Sequence, residues 1–376
     1  MNMIHKYKVD FILIICLIIF FILSIFSISS AQALIPENNL VTRQIIWYLI
    51  GTIVILFIMY RGNKVLYKSA WKLYIIGIIT LVLVLLFGTP INDSRCWFKI
   101  PGIGNFQPSE FMKIILIIVL GKVINDFKEH NGNPTVLDEF KFLLNVFLIV
   151  LIPSILTFLE PDTGVVLIYL IITFIMLFIS GIRYRWFIIV FVLLGLIIGF
   201  ILTVFFLDND LFIKLFGSSF FLRVDRILDW RKGSGYQLEN GITAIGSGGM
   251  LGYGYKNTPI YFPEPQTDFI FAVFSNNFGF LGSIIFIGLL LIFDLRIIKI
   301  ALDTKKNINK YVISGIVAML IYQQFQNIGM TLGLLPITGI TLPFISYGGS
   351  SLISYMIMIG IVLSIKKDLS CDRSSS

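Results

Sequence analysis

Three charged side chains stand out in a chain that makes little use of charge. Glu110 and Lys113 are three residues apart, so on a helix they share one face. Lys113 heads into the apolar run 106–125, where a charge is costly and needs a reason. Pro108 suits a first helical turn and puts Glu110 where the helix dipole favours an anion. A cap with a surface ion pair is the plain reading; the position of Lys113 weighs toward function. Asp268 opens the run 269–294, after Pro263-Glu264-Pro265-Gln266-Thr267. It is either an N-cap or a carboxylate that takes a proton or holds a cation. Spacing alone favours the cap, and Asp93, Asp162, Asp225 and Glu239 are rival carboxylates on the same side.

Around these lie residues suited to anions. Arg95, Trp97 and Lys99 precede the Glu110 motif; Arg223, Arg226, Arg231 and Lys232 precede Gly235-Tyr236-Gln237. The glycines of 246–254 could let backbone amides approach an anion, although glycines also simply make loops. The stretch follows no strand and is no dinucleotide fingerprint, and nothing resembles a Walker A loop. His5 and His130 both fall on the inner side, leaving no external imidazole for a Ser-His arrangement or a metal site. Cys16, Cys96 and Cys371 are far apart, which argues against a disulfide framework or a zinc site.

The elements that must hold these residues are membrane helices. Of 376 residues, 57% are hydrophobic and 13% charged, and the mean hydropathy is +0.92; a soluble domain is nearer half apolar and a quarter charged. Runs of about 20 apolar residues, the length a span needs, occur near 10–30, 44–60, 70–88, 106–125, 140–159, 163–181, 186–207, 269–294, 311–335 and 344–365. Short loops on one side carry 19 Lys and Arg, those on the other only Arg43, Arg95 and Lys99. This split puts both termini in the cytoplasm and the long segment 208–267 outside, and it explains the net charge of +8 without nucleic acid. The first run ends at Ala31-Gln32-Ala33 like a signal peptide, but it is longer than such a segment and reads as an uncleaved helix. The chain is thus expected to be an all-α integral membrane protein of about ten spans, one polytopic domain over 1–376 with an external loop at 208–267 between spans seven and eight. The amides Gln323, Gln324, Gln326 and Asn327 of the ninth run are expected to bond neighbouring helices.

Several stretches together carry a family resemblance: Arg95-Cys96-Trp97; Phe106-Gln107-Pro108-Ser109-Glu110 with Lys113; Arg223 with Arg226; Gly235-Tyr236-Gln237; Ala244-Ile245-Gly246-Ser247-Gly248-Gly249; Thr267-Asp268-Phe269-Ile270-Phe271-Ala272; and Leu342-Pro343-Phe344-Ile345-Ser346-Tyr347-Gly348-Gly349-Ser350. In this order, over nearly the whole chain, they resemble the SEDS family of bacterial cell-wall polymerases, the RodA, FtsW and SpoVE proteins. Ala244–Gly249 and Asn327-Ile328-Gly329-Met330 look most like RodA; 335–343 also fits FtsW or SpoVE. The resemblance implies a SEDS-type bundle and a peptidoglycan glycosyltransferase that polymerises lipid II, the undecaprenyl-diphosphate-linked substrate, for cell elongation and shape. It implies Asp268 as the catalytic carboxylate and as a ligand for a divalent cation, Mg or Mn, should one be used. Substrate contacts would come from Arg95, Trp97, Gln107, Ser109, Glu110, Lys113, Arg223, Arg226, Tyr236, Gln237, Thr341 and Ser346, the guanidinium groups matching diphosphate oxygens. The implied partner is a class B penicillin-binding protein in the bacterial cytoplasmic membrane.

The sequence departs from the family in two places. Asn276-Asn277 stand where many members have two glutamates before Leu-Gly, and the loop before Gly-Tyr-Gln is shortened to Asp229-Trp230-Arg231-Lys232. Two other functions compete with polymerisation. A lipid II flippase or other transporter would place its polar sites near the bilayer midplane, whereas here they crowd the outer ends of spans. A scaffold that only binds a partner enzyme would have no need of the missing acids.

Overall fold

The computed structural model describes residues 10–35, 39–91, 94–100, 104–218, 220, 221, 224 and 235–374. Its described elements are, in chain order, α1 (Phe11–Gln32), α2 (Leu40–Arg61), α3 (Asn63–Lys68), α4 (Ala70–Phe87), β1 (Thr89–Ile91), β2 (Ser94–Ile100), β3 (Gly104–Phe106), α5 (Pro108–His130), α6 (Val136–Leu159), α7 (Thr163–Ile179), α8 (Tyr184–Leu207), α9 (Asn209–Phe216), α10 (Tyr236–Ser247), α11 (Ile270–Asp303), α12 (Asn307–Thr331) and α13 (Gly349–Ser374). Every apolar run read from the sequence falls on a helix of 17 residues or more. Seven of these (α1, α2, α4, α6, α8, α11 and α13) are long and apolar enough to cross a membrane. α7 is short at 17 residues, while α5 and α12 are too polar for that test.

The polar pair are the buried centre of the bundle. α12 buries Gln323, Gln324, Gln326 and Asn327 along with its apolar residues, and α5 buries Ser109, Glu110 and Lys113. Lipid never sees these faces, so they can carry groups a lipid-facing helix cannot. α8 is the reverse: apolar throughout, with Phe205 its one buried residue. Caps fix the helix starts. Asp10 accepts from Leu13 N at 3.3 Å, and Arg296 Nε reaches both oxygens of Asp10 at 2.9 Å, tying α1 to α11. Thr135 and Asp138 form a capping box on α6, and Pro108 opens α5, where a missing N–H costs nothing.

Two features were not legible as loops or spans. Between α4 and α5 the chain forms an antiparallel sheet in the order β1-β2-β3, with Thr89 opposite Trp97 and Phe98 opposite Phe106. The segment 208–267 also contains helices, α9 and α10.

The third surprise is α11. The run 269–294 read as one span, yet Gly279 has φ 65° and ψ −165°, a conformation open to glycine alone. The chain folds back there. Ser283 Oγ donates to Ser275 Oγ at 2.9 Å, where a straight helix would separate these residues by about 12 Å. Phe286 meets Phe274 and Phe271 at ring-centroid distances of 4.9 and 6.3 Å. Arm 270–278 therefore runs antiparallel to arm 280–303, with Gly279 at the tip. The free backbone groups of the tip are taken up by the glycine-rich stretch: Tyr253 N and Gly254 N donate to Asn276 O and Asn277 O, while Phe280 N and Leu281 N donate to Gly249 O and Met250 O. A Cβ on Gly252 would lie 2.2 Å from Asn277 O, so only glycine permits the clasp. The amides of Tyr253 and Gly254 thus serve the hairpin, and those of Gly248, Gly249 and Gly252 bond within their own turn, rather than facing an anion.

Candidate functional site

The hairpin determines where Asp268 sits. It lies two residues before the first arm, about 15 Å back from the tip, and the loop 335–348 packs beside it. Ser346 Oγ donates to Thr267 O at 2.7 Å and accepts from Leu342 N at 2.8 Å. Tyr347 N donates to Gln266 O at 2.8 Å. Asn327 Nδ2 donates to both Asp268 O and Ile340 O at 2.8 Å. These bonds hold the backbone around Asp268 from two sides and leave its carboxylate half-buried. The N-cap of α11 is Phe269, without a side-chain cap bond, so the cap role that spacing favoured for Asp268 is not the one it has. A Cβ on Gly339 would lie 3.6 Å from Asp268 Oδ2, so this loop residue stands beside the acid, and its φ of 71° is one that glycine adopts without strain.

A second group gathers at the start of α5. Lys113 Nζ donates to Glu110 Oε2 at 2.8 Å, and the lysine side chain is 0% exposed. Its ammonium stands 5.7 Å above the Tyr355 ring, a cation–π contact that burial strengthens. Gln107 Nε2 donates to Asp162 Oδ2 at 2.8 Å, and Asp162 Oδ1 caps α7 by accepting from Val165 N at 3.2 Å. Gln107 N donates to Ser350 Oγ at 3.0 Å. Tyr169 OH donates to Ser109 O at 3.1 Å.

Asp162 joins the two groups. Burial lifts its carboxyl to about 6, with Glu110 adding to the rise and Lys113 opposing it. The Asp268 carboxyl is lifted to about 7, first by burial and then by its negative neighbours Glu264 and Asp162. Burial also raises Glu160 to about 8, helped by Asp162. Burial thus leaves the acid poised near neutrality, where a general base is most effective.

The remaining residues take several positions. Arg95 is exposed on β2, and Trp97 beside it is half-buried, its carbonyl accepting from Thr89 Oγ1 at 3.1 Å. Tyr236 is exposed at the start of α10, and Gln237 Nε2 donates to Pro263 O at 3.1 Å, linking α10 to the segment before Asp268. Thr341 is half-buried and bonded to Tyr355 OH at 3.0 Å. Ser109 and Ser346 are buried, and the hydroxyl of Ser346 is fully used on the backbone. Arg223 and Arg226, with Arg231 and Lys232, lie outside the described residues. Among the described residues no three His, Cys, Asp or Glu come together as metal ligands. A cation at Asp268 would therefore have to take most of its ligands from water or substrate, as Mg²⁺ commonly does. Asn276 and Asn277, in the family's acidic positions, act as donor and acceptor: Asn276 Nδ2 reaches Ala244 O at 2.7 Å, and Asn277 Oδ1 accepts from Thr258 Oγ1 at 3.0 Å. A carboxylate could not make the first bond. Sequence reading missed Asp162 and Tyr355 as members of this cluster; only the fold brings them to it.

Comparison with known proteins agrees with this architecture. The family described as "Cell cycle protein", FtsW/RodA/SpoVE, matches residues 6–370. Stage V sporulation protein E of Bacillus subtilis is 31% identical over 96% of this chain and 98% of its own length. A probable peptidoglycan glycosyltransferase FtsW of Coxiella burnetii is 32% identical over 96% of each. A solved structure described as the structural coordination of polymerization and crosslinking by a peptidoglycan synthase complex superposes with a TM-score of 0.80, at 27% identity, over 96% of this chain and 98% of that one. The rod shape determining protein RodA of Thermus thermophilus superposes at 0.67, with 25% identity over 96% and 97%. The chain, a multi-pass membrane protein, belongs to the FtsW/RodA/SpoVE family.

Proposed function

We propose that this protein is a peptidoglycan glycosyltransferase that polymerises lipid II into glycan strands on the outer face of the cytoplasmic membrane, with both termini inside. Family membership supports the activity, since relatives along the full length are named as glycosyltransferases. The single observation that carries the mechanism is the half-buried Asp268, lifted to about 7 and fixed by Asn327 and Ser346 rather than spent as a cap.

In this reading the acceptor sugar hydroxyl attacks the anomeric carbon of the donor. The O–H proton passes to Asp268, the new glycosidic C–O bond forms, and the bond to the diphosphate breaks with inversion. Arg95, Arg223 and Arg226 offset charge on the departing diphosphate. Lys113 is fully buried on Glu110, so its part is to hold Glu110 in place behind the reacting groups. Asp268 is also the residue that would hold Mg²⁺ or Mn²⁺, which when bound supplies positive charge to the diphosphate.

The partner in this reading is a class B penicillin-binding protein whose membrane helix packs near the eighth and ninth spans. The similarity to a structure that couples polymerization with crosslinking supports it. The biological role is elongation and cell shape, as for RodA. A division or sporulation role is the second reading, favoured by full-length relatives named FtsW and stage V sporulation protein E. Purified protein with labelled lipid II, with and without the partner, tests the proposal: glycan chains are expected, and lipid II translocation without chains would replace the polymerase by a flippase.

A further inference from the structure

Tyr355 is buried on α13, and none of the candidate residues read from the sequence includes it. Its side chain nevertheless touches residues of α5, α12 and the 335–348 loop. The ring lies under the Lys113 ammonium at 5.7 Å and packs on Phe344 at 5.4 Å. The hydroxyl accepts from Gln323 Nε2 at 3.1 Å and is bonded to Thr341 Oγ1 at 3.0 Å.

The direction of the last bond follows from donor inventory. An amide nitrogen only donates, so Gln323 takes a lone pair of the tyrosine oxygen and leaves the single phenolic proton to be placed. With the Gln323 amide turned so that Nε2 faces the phenol, a Thr341 donor would leave that proton in a buried setting with no acceptor, at the cost of an unmade hydrogen bond. Tyr355 therefore donates to Thr341 Oγ1. The hydroxyl proton of Thr341, which is only half-buried, is then free to point away from the protein, while Tyr355, Gln323 and Lys113 behind it are all buried.

We propose that Tyr355 is a positioning residue: it turns Thr341 into a hydrogen-bond donor aimed at an oxygen of the bound diphosphate–sugar substrate. The proposal rests on the polymerase reading for the identity of the substrate, and it adds a residue and a hydrogen-bond polarity to that reading. The chain Gln323 to Tyr355 to Thr341 to ligand runs in one sense, so each bond polarises the next. The ring held between Lys113 and Phe344 fixes the phenol so that its hydroxyl cannot turn away.

A double-mutant cycle tests this on the full-length protein in detergent. Equilibrium binding of labelled lipid II and the steady-state KM and kcat of polymerisation are measured for wild type, Tyr355→Phe, Thr341→Ala and the double variant. Phenylalanine keeps the ring, so the fold and the Lys113 contact persist. Each single variant should weaken binding and raise KM by about fivefold, the scale of one neutral hydrogen bond, with kcat changed less. Tyr355→Phe should add nothing in the Thr341→Ala background, because the phenol acts through Thr341. Thr341→Ser, which keeps the hydroxyl, should restore binding. Equal and multiplicative losses from the two changes, or a lower thermal midpoint with unchanged binding, would show a merely structural tyrosine and overturn the inference while leaving the polymerase reading intact. A wild type that binds no labelled lipid II would overturn both.

Discussion

Helices α8 and α12 are nearly equal in length, at 24 and 25 residues, and opposite in everything else. α8 is apolar along its whole length and packs almost nothing against the rest of the chain. The apolar run of α12 is broken by the amides Gln323, Gln324, Gln326 and Asn327, yet the helix is buried at nearly every turn and bonds Tyr355, Asp294, Pro336 and Asp268 through them. The hydropathy of a membrane helix thus reports which face meets lipid. The two long helices whose apolar runs are broken by buried polar groups, α12 and α5, help build the site, since the surrounding helices shield those groups.

If that contrast is sound, changes on α5 should cost most. Lys113→Met leaves Glu110 buried without its partner and should destabilise the protein by about 3–5 kcal/mol, seen as a large fall in thermal midpoint and loss of polymerisation. Adding Glu110→Gln should recover much of the stability, because an uncharged pair is tolerated in the same space, but not the activity. Full activity in that double variant would reduce the pair to packing.

Next in size is Asn327→Leu on α12. It strips partners from the carbonyls of Asp268 and Ile340, at about 1–3 kcal/mol for each buried group left unpaired. Polymerisation should fall more than membrane insertion, and equal falls would contradict a role in placing Asp268. At the other end of the comparison, Leu193→Met on α8 should shift stability by less than about 0.5 kcal/mol and leave activity unchanged. A large effect there would show that α8 is not simply lipid-facing.

The contrast also has a pH signature. The Asp268 carboxyl is lifted from its ordinary 3.8 to about 7, so the folded chain holds this proton more tightly than the unfolded one. Stability gained from that proton is full below pH 4 and is lost as pH rises toward 7. Asp162 and Glu160, raised to about 6 and 8, push the same way. Polymerisation needs the unprotonated base and should rise over the approach to pH 7, while the thermal midpoint falls. Both curves rising together would contradict the assignment.

The ten helices were legible because each is a long apolar run, and Glu110 and Lys113 because a charged pair at helical spacing is conspicuous in such a run. The fold-back of α11 was not, because one left-handed glycine in the run 269–294 decides it and neither hydropathy nor charge marks that glycine. The same fold-back takes up backbone groups of the 246–254 stretch; the helix start at Ile270, which puts Phe269 in the cap position, is what removes Asp268 from the cap its spacing suggested. Asp162 looked like one acid among several in the sequence; its link to both Glu110 and Asp268 exists only once α6, α7 and the hairpin are packed. Tyr355 sits in an apolar stretch of α13, where an aromatic residue reads as core.

The most direct test of the account is Asp268→Asn. The substitution keeps the shape of the side chain and removes only the carboxylate, so the purified variant should match wild type in thermal midpoint and in capture of its penicillin-binding partner. Given labelled lipid II beside wild type, it should make no glycan chains. Chains formed by Asp268→Asn at near wild-type rate would contradict the central claim that this carboxylate takes the acceptor's proton.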